Sequence, residues 1–221
     1  MSGWLGLIGG GEFSFGETLE ADRAWLEKTP EGPVGFIPAG SGSVDYGLHF
    51  AGYLRDAFGR EVETIPIFRV RDGRRLRNAE RIAASAAIYL GGGIADQFAD
   101  ALRDTPAAEA LAAKIASGGV VAAIGAAAQA CGAVFRDLRG SIEYGLGLVP
   151  ATAVEANFDP GHDRRLRALL GAPGVERGIG ISAGSLLLVD SEGRFEALGD
   201  TFTLAAADAD VVPLVGGAIP E

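Results

Sequence analysis

The sequence predicts an α/β fold of three layers, a mainly parallel sheet flanked by helices, with a strand-rich C-terminal part. Three observations predict it. Short apolar runs alternate with amphipathic, helix-like segments as far as Gly140. Several of the runs end in glycines, and the chain holds 34 glycines in all, which suits many tight strand-to-helix turns. Beyond Gly140 the apolar runs follow one another with little helix between them.

The elements follow in order. Trp4–Gly9 is a first strand, and "GETLEADRAWLEK" is an amphipathic helix with Leu19, Trp25 and Leu26 among charges. Pro33–Ala39 is a strand. "SVDYGLHFAGYLRDAFG" is a helix with Ser43 at its start and Gly59 at its stop. "EVETIPIF" is a third strand, which Pro66 places at an edge or ends early. "RRLRNAERIAAS" is a basic helix, and Ala86–Gly93 is an apolar strand. "TPAAEALAAKIASGG" is a helix capped by Thr105 with Pro106 in its first turn. Val120–Gly125 is the next strand, and "AAAQACGAVF" reads as the helix after it. In the last third, "LGLVPATAVEANF" and the stretch from Glu176 to Ala205 read as strands, with a hairpin turn at Ser191–Gly193. Only "HDRRLRALLGA" reads as helix there.

The length of 221 residues predicts one domain over 1–221. The net charge of -10 argues against nucleic acid as a partner. No apolar run is suited to crossing a bilayer, and the N-terminal stretch lacks a basic leader region. A single cysteine, Cys131, leaves no intrachain disulfide. A soluble, cytoplasmic protein without membrane partner is expected. No His, Cys or acidic set has metal-ligand spacing, and "PVGFIPAGSG" lacks the acid that a dinucleotide site needs, so neither metal nor cofactor is expected.

In such sheets ligands bind beyond the carboxyl ends of the strands. Three segments fall there: Gly9–Glu12, Gly91–Ile94 and Gly125–Gln129. Two stretches compete to hold a nucleophile. "GISAG" around Ser182 matches Gly-x-Ser-x-Gly, but "SLLLVDSEG" after it reads as a strand entering a hairpin, whereas the motif needs a strand-to-helix bend. "VVAAIG" then "AAAQACGAVF" has that context, with Ala127 as the turn residue between Ala126 and Ala128. An elbow there predicts a positive φ at Ala127. An ordinary turn with close helix packing is the alternative.

Taken in order, "LGLIGGGEF", "IYLGGGIADQF", "ASGGVVAAIGAAAQACG", "GLGLVPATAVEANF" and "RGIGISAGSLLLV" resemble the peptidase S51 group, dipeptidase E and cyanophycinase, across roughly residues 4 to 190. The resemblance implies a fold like class I glutamine amidotransferases, in the flavodoxin-like class, and a homodimer. It also implies site positions. The family serine falls on Ala127, the family histidine on Asn157, and the acidic position on Ser182 or Ala183. The second glycine turn carries Ile94 where the family has Asn or Asp.

Alanine has no atom to attack with, and the Asn157 amide is no useful base. Backbone N–H groups at Gly92, Gly93 and Ala128 remain as donors to a carbonyl or carboxylate. The expected site is thus a ligand pocket of Gly92, Gly93, Ile94, Ala127, Ala128, Gln129 and Asn157. It would take a small peptide or carboxylate without cleaving it. The alternative is an active serine-type hydrolase with a relocated nucleophile, Ser182 or Cys131. A third reading is a structural oligomer subunit. His162, His49, Glu12 and the basic run Arg69–Arg77 are further groups that could serve a site, and each also reads as ordinary surface or packing.

Overall fold

The structure, a computed structural model, describes residues 3–41, 43–215 and 217–218. It is a mixed α/β architecture with two sheets rather than one. The first has eight strands in the order β14-β11-β10-β1-β5-β4-β2-β3. Its parallel part is β1 (Trp4–Ile8), β5 (Val120–Ile124), β4 (Ala87–Leu90), β2 (Val34–Ile37) and β3 (Val62–Thr64). The hairpin β10 (Leu186–Asp190) and β11 (Arg194–Leu198) is antiparallel to β1, and β14 (Gly217–Ala218) closes that edge. The second sheet holds β6 (Val134–Arg136), β7 (Ile142–Tyr144), β8 (Thr152–Ala156), β9 (Arg177–Ile181), β12 (Thr201–Leu204) and β13 (Val212–Pro213). Within it β6, β8 and β9 run parallel.

The local choices follow from the residues. β4 and β5 are buried at every position, as strands covered on both faces must be. Helix α2 (Val44–Phe58) stops at Gly59, whose φ of 66° closes the turn; Ser43 stands at its start without a side-chain capping bond. β3 is an edge strand that ends before Pro66. Thr105 caps α6 (Pro106–Ala116) by accepting from the Ala108 N–H.

Helices α1 (Leu19–Glu27) and α2 cover one face of the first sheet, through Trp25, Phe50 and Leu54. On the other face lie α5 (Ala95–Leu102), α6 and α7 (Ala126–Cys131), in a cluster that also takes in Val154 and Ile179 of the second sheet. The short α3 (Val70–Gly73) and α4 (Leu76–Ala84) flank this group. α8 (Arg164–Leu170) packs on the far face of the second sheet through Leu166 and Leu169.

α7 therefore lies between two sheets. Close approach on both sides leaves room for small side chains, which explains why it is built from alanine with one cysteine. The helix is shorter than its apolar sequence suggests. It ends at Cys131, where Gly132 turns extended, and Val134–Phe135 belong to β6.

Candidate functional site

β1, β5 and β4 are neighbours, so the three glycine segments that follow them lie side by side. After β1, Gly10 and Gly11 take φ values of 145° and 121°, which L side chains rarely adopt. After β4, Gly93 has φ 136°, and a Cβ there would stand 2.1 Å from the Gly40 carbonyl oxygen. A Cβ on Gly92 would stand 3.4 Å from the Ile124 carbonyl, which sets the second glycine turn against the end of β5.

The bend after β5 is at Gly125, not at Ala127. Gly125 has φ 57° and ψ −119°, a conformation that favours glycine. Its N–H donates to the Ile8 carbonyl at 2.9 Å, and a Cβ at this position would meet nothing within 4 Å. Ala127 is helical and buried, as is Ala128; both pack in the core between the sheets. The first free N–H after the bend is that of Ala126, because α7 closes its first bond only from Gln129, to the Gly125 carbonyl at 3.1 Å. The signal was present in the sequence: Gly125 is the residue of "IGAAAQA" that takes a positive φ without strain.

Asn157 stands one residue beyond β8 with φ 51°. Its N–H donates to the Gly9 carbonyl at 2.6 Å, and its side-chain amide lies over Gly10. Asn157 and the bend therefore flank the same short segment, Ile8–Gly10. Ser182 lies in the tight turn between β9 and β10, with no helix after it, and its hydroxyl donates to the Phe158 carbonyl at 2.7 Å. Ala183 is exposed in that turn, and the Gly184 N–H donates to the Gly10 carbonyl at 2.9 Å.

The other sequence candidates separate. Cys131 is fully buried, and burial pushes its thiol up to about 12. His162 is 86% exposed and pairs with Asp159 at 2.7 Å. The hydrogen bond from His162 and the Gly161 N–H hold the Asp159 carboxyl below its usual range. His49 lies on α2, exposed, beside an open hollow with Phe13 and Ser14. Glu12 caps the short turn Phe13–Phe15 by accepting from the Ser14 N–H and hydroxyl at 3.1 and 2.9 Å. In the basic run, Arg71 and Arg75 lie 3.8 and 3.5 Å from Asp72, and Arg69 lines a hollow with Asp100. Ile94 starts α5 and donates its N–H to the Gly40 carbonyl. Among the described residues no group of three or more His, Cys, Asp or Glu could hold a metal ion. No helix among them is long and apolar enough to cross a membrane.

Two groups near the site were not singled out from the sequence. Tyr46 faces the Gly92 N–H; burial raises its phenol to about 12, against that N–H, and Glu12 and Asp22 add to the rise. Glu155, in β8 two residues before Asn157, is a buried carboxylate. Its place in the apolar run "ATAVEANF" is the sequence signal, since an isolated acid in such a strand needs a reason.

No protein-family profile matches the sequence, and no curated protein does. Solved structures do. A peptidase from an acI-B1 Actinobacterium superposes with a TM-score of 0.80 at 22% identity, over 98% of this chain and 95% of that one. A protein assigned as peptidase E from Listeria monocytogenes EGD-e superposes with a TM-score of 0.64 at 15% identity, over 90% of this chain and all of that one (100%). At these identities the likeness is one of architecture: the chain has the fold of these peptidases.

Proposed function

We propose that this chain is a catalytically degenerate relative of the S51 peptidases that binds a small peptide or carboxylate without cleaving it. One observation carries the reading: the bend that would present a nucleophile is Gly125, which has no side chain. The place of the family serine is then Gly125 rather than Ala127. Asn157 supplies an amide where a base is needed, and an amide does not accept a proton near neutral pH. Removing members of a nucleophile–base pair costs on the order of a million-fold in rate. What remains at the bend is a backbone donor, the Ala126 N–H, with open space above Gly125. Such a donor suits a carbonyl or carboxylate oxygen.

The relocated-nucleophile reading has less support. The Ser182 hydroxyl is spent on the Phe158 carbonyl, and Cys131 is sealed in the core.

The test is an assay of purified protein against Asp-X dipeptides and β-aspartyl-arginine peptides. The expected result is no turnover above buffer. Turnover that disappears in Ser182→Ala or Asn157→Ala would overturn the proposal.

A further inference from the structure

The basic run Arg69–Arg77 takes no part in the site at the bend. It follows β3, the edge strand three places from β5, which is roughly 14 Å away across the sheet. In nine residues it holds five arginines and one acid, Asp72, in a chain of net charge -10. The remainder of the chain is therefore more acidic than the whole, and this run is the exception.

Packing fixes the run from within. Gly73 is an inward residue of α3: a Cβ there would stand 2.3 Å from the Ala101 carbonyl oxygen of α5. Asp72, also buried, accepts from the Phe68 and Arg69 N–H groups, each at 3.3 Å. The Asn78 amide of α4 donates to the Asp72 carbonyl at 2.9 Å. The corner between α3 and α4 is thus held by its buried residues, and Arg69, Arg71, Arg74, Arg75 and Arg77 are all exposed on it. Their ion pairs among the described residues are those of Arg71 and Arg75, both with Asp72. One buried acid therefore answers five guanidiniums.

Two apolar side chains stand among these charges. Leu76 is 68% exposed and Val70 is 40% exposed. Val70 also lines a hollow of about 760 Å³, together with Phe68, Gln97 and Asp100. That volume is in the range of ligand-sized clefts.

Five such arginines call for an anionic partner, and the extent of the partner decides its kind. At physiological salt, charges farther than about 8 Å are screened. A short segment seated on the corner would meet the arginines and little of the acidic remainder. A membrane surface or a long nucleic acid would run past the corner onto that remainder, which repels it. The run also has no aromatic side chain on which bases could stack. Carboxylates, by contrast, match the paired donors of guanidinium groups.

We propose that the corner of α3 and α4 is a docking surface for a short acidic segment of a partner protein. Its carboxylates would pair with the exposed arginines, and an apolar side chain beside them would pack on Leu76 and Val70. The surface is separate from the ligand site, so its failure leaves the reading of that site untouched.

The test is fluorescence anisotropy of the full chain with a labelled peptide, Glu-Asp-Leu-Glu-Glu-Phe-Asp-Glu, at low salt. The peptide should bind more tightly than about 100 μM, and added salt should weaken it. Arg74→Glu with Arg77→Glu should weaken it at least about tenfold. Arg23→Glu with Arg55→Glu, exposed on α1 and α2, changes the net charge equally and should leave it within about twofold. Leu76→Ser should weaken it about threefold without any change of charge. All of these positions are exposed, and thermal unfolding at the wild-type temperature checks that the fold is kept. No binding, equal binding of the peptide with its acids replaced by their amides, or equal loss in the two double variants overturns the proposal. Tighter binding to phosphatidylserine vesicles or to a polyuridine oligomer at the same salt overturns it too.

Discussion

The Gly125 N–H donates to the Ile8 carbonyl at 2.9 Å, so the bend after β5 is fastened to the strand that precedes the first glycine turn. The bend is a property of the scaffold and does not depend on a side chain at its tip. An L residue at φ 57° and ψ −119° is strained, but here it would clash with nothing. Gly125→Ala should therefore destabilise the fold by about 1–3 kcal/mol, as backbone strain alone predicts. Urea unfolding checks this. A loss well beyond that range would mean that the space above Gly125 is not open.

The same geometry predicts how chemistry could be restored. Gly125→Ser alone should react with a fluorophosphonate no faster than an ordinary serine, because no base stands beside it. Gly125→Ser combined with Asn157→His should label faster at position 125, and mass mapping would locate the adduct. Equal rates for the single and double variants would show that position 157 cannot reach the bend.

Gly10 and Asn157 form a coupled pair. A Cβ on Gly10 would fall 2.2 Å from the Asn157 Oδ1, at a φ of 145°. Gly10→Ala should cost about 1–3 kcal/mol from strain and crowding. Asn157→Gly removes the obstructing amide and suits the φ of 51°. In a double-mutant cycle the two changes should be less than additive, with a coupling of about 0.5–3 kcal/mol. Additivity would mean that the amide does not lie on the glycine turn.

Much of this was readable from the sequence, for identifiable reasons. β1, β4 and β5 are continuous apolar runs ended by glycine, and the structure has them where such runs predict. Gly59 and Thr105 marked helix ends through ordinary capping chemistry. What was not readable depended on tertiary packing. "ADQFADAL" is a helix of eight residues whose Phe98, Ala99 and Leu102 are buried, but alanine gives little periodic contrast. "GAVF" looked like more of α7, and only the second sheet, which recruits Val134–Arg136, makes it a strand. A Gly-x-Ser reading that starts at Gly125 puts the bend at Ala127, two residues late. The conformational demand fell on that glycine itself.

The Asp22 carboxylate gives a pH prediction. It is fully buried in α1, and it accepts from Thr18, Trp25 and Tyr53 at 2.7, 2.9 and 2.9 Å without a cation in bonding reach. Burial raises its pKa above 3.8, and the three hydrogen bonds only partly offset that. A raised carboxyl favours the protonated folded state. Its contribution to stability is complete below pH 3.8 and is lost as pH rises through the raised value. Wild type should therefore lose stability relative to Asp22→Asn as pH climbs from about 4 toward neutrality. Urea midpoints across that range test it, and a difference that stays flat or runs the other way would contradict the assignment.

Cys131 separates a working thiol from a core residue. Its thiol sits in α7 between two sheets with none of its surface exposed, and burial alone lifts it to about 12. The thiolate is the form that reacts with iodoacetamide, so the folded protein at pH 8 should hold almost none of it. Alkylation should then proceed only through opening of the fold. Its rate should rise with urea in step with the unfolded fraction. Cys131→Ala should leave any ligand binding unchanged, since this side chain is sealed in the core. Rapid stoichiometric alkylation of the native protein would instead place the thiol in contact with solvent. It would also revive Cys131 as the reactive group of an active enzyme.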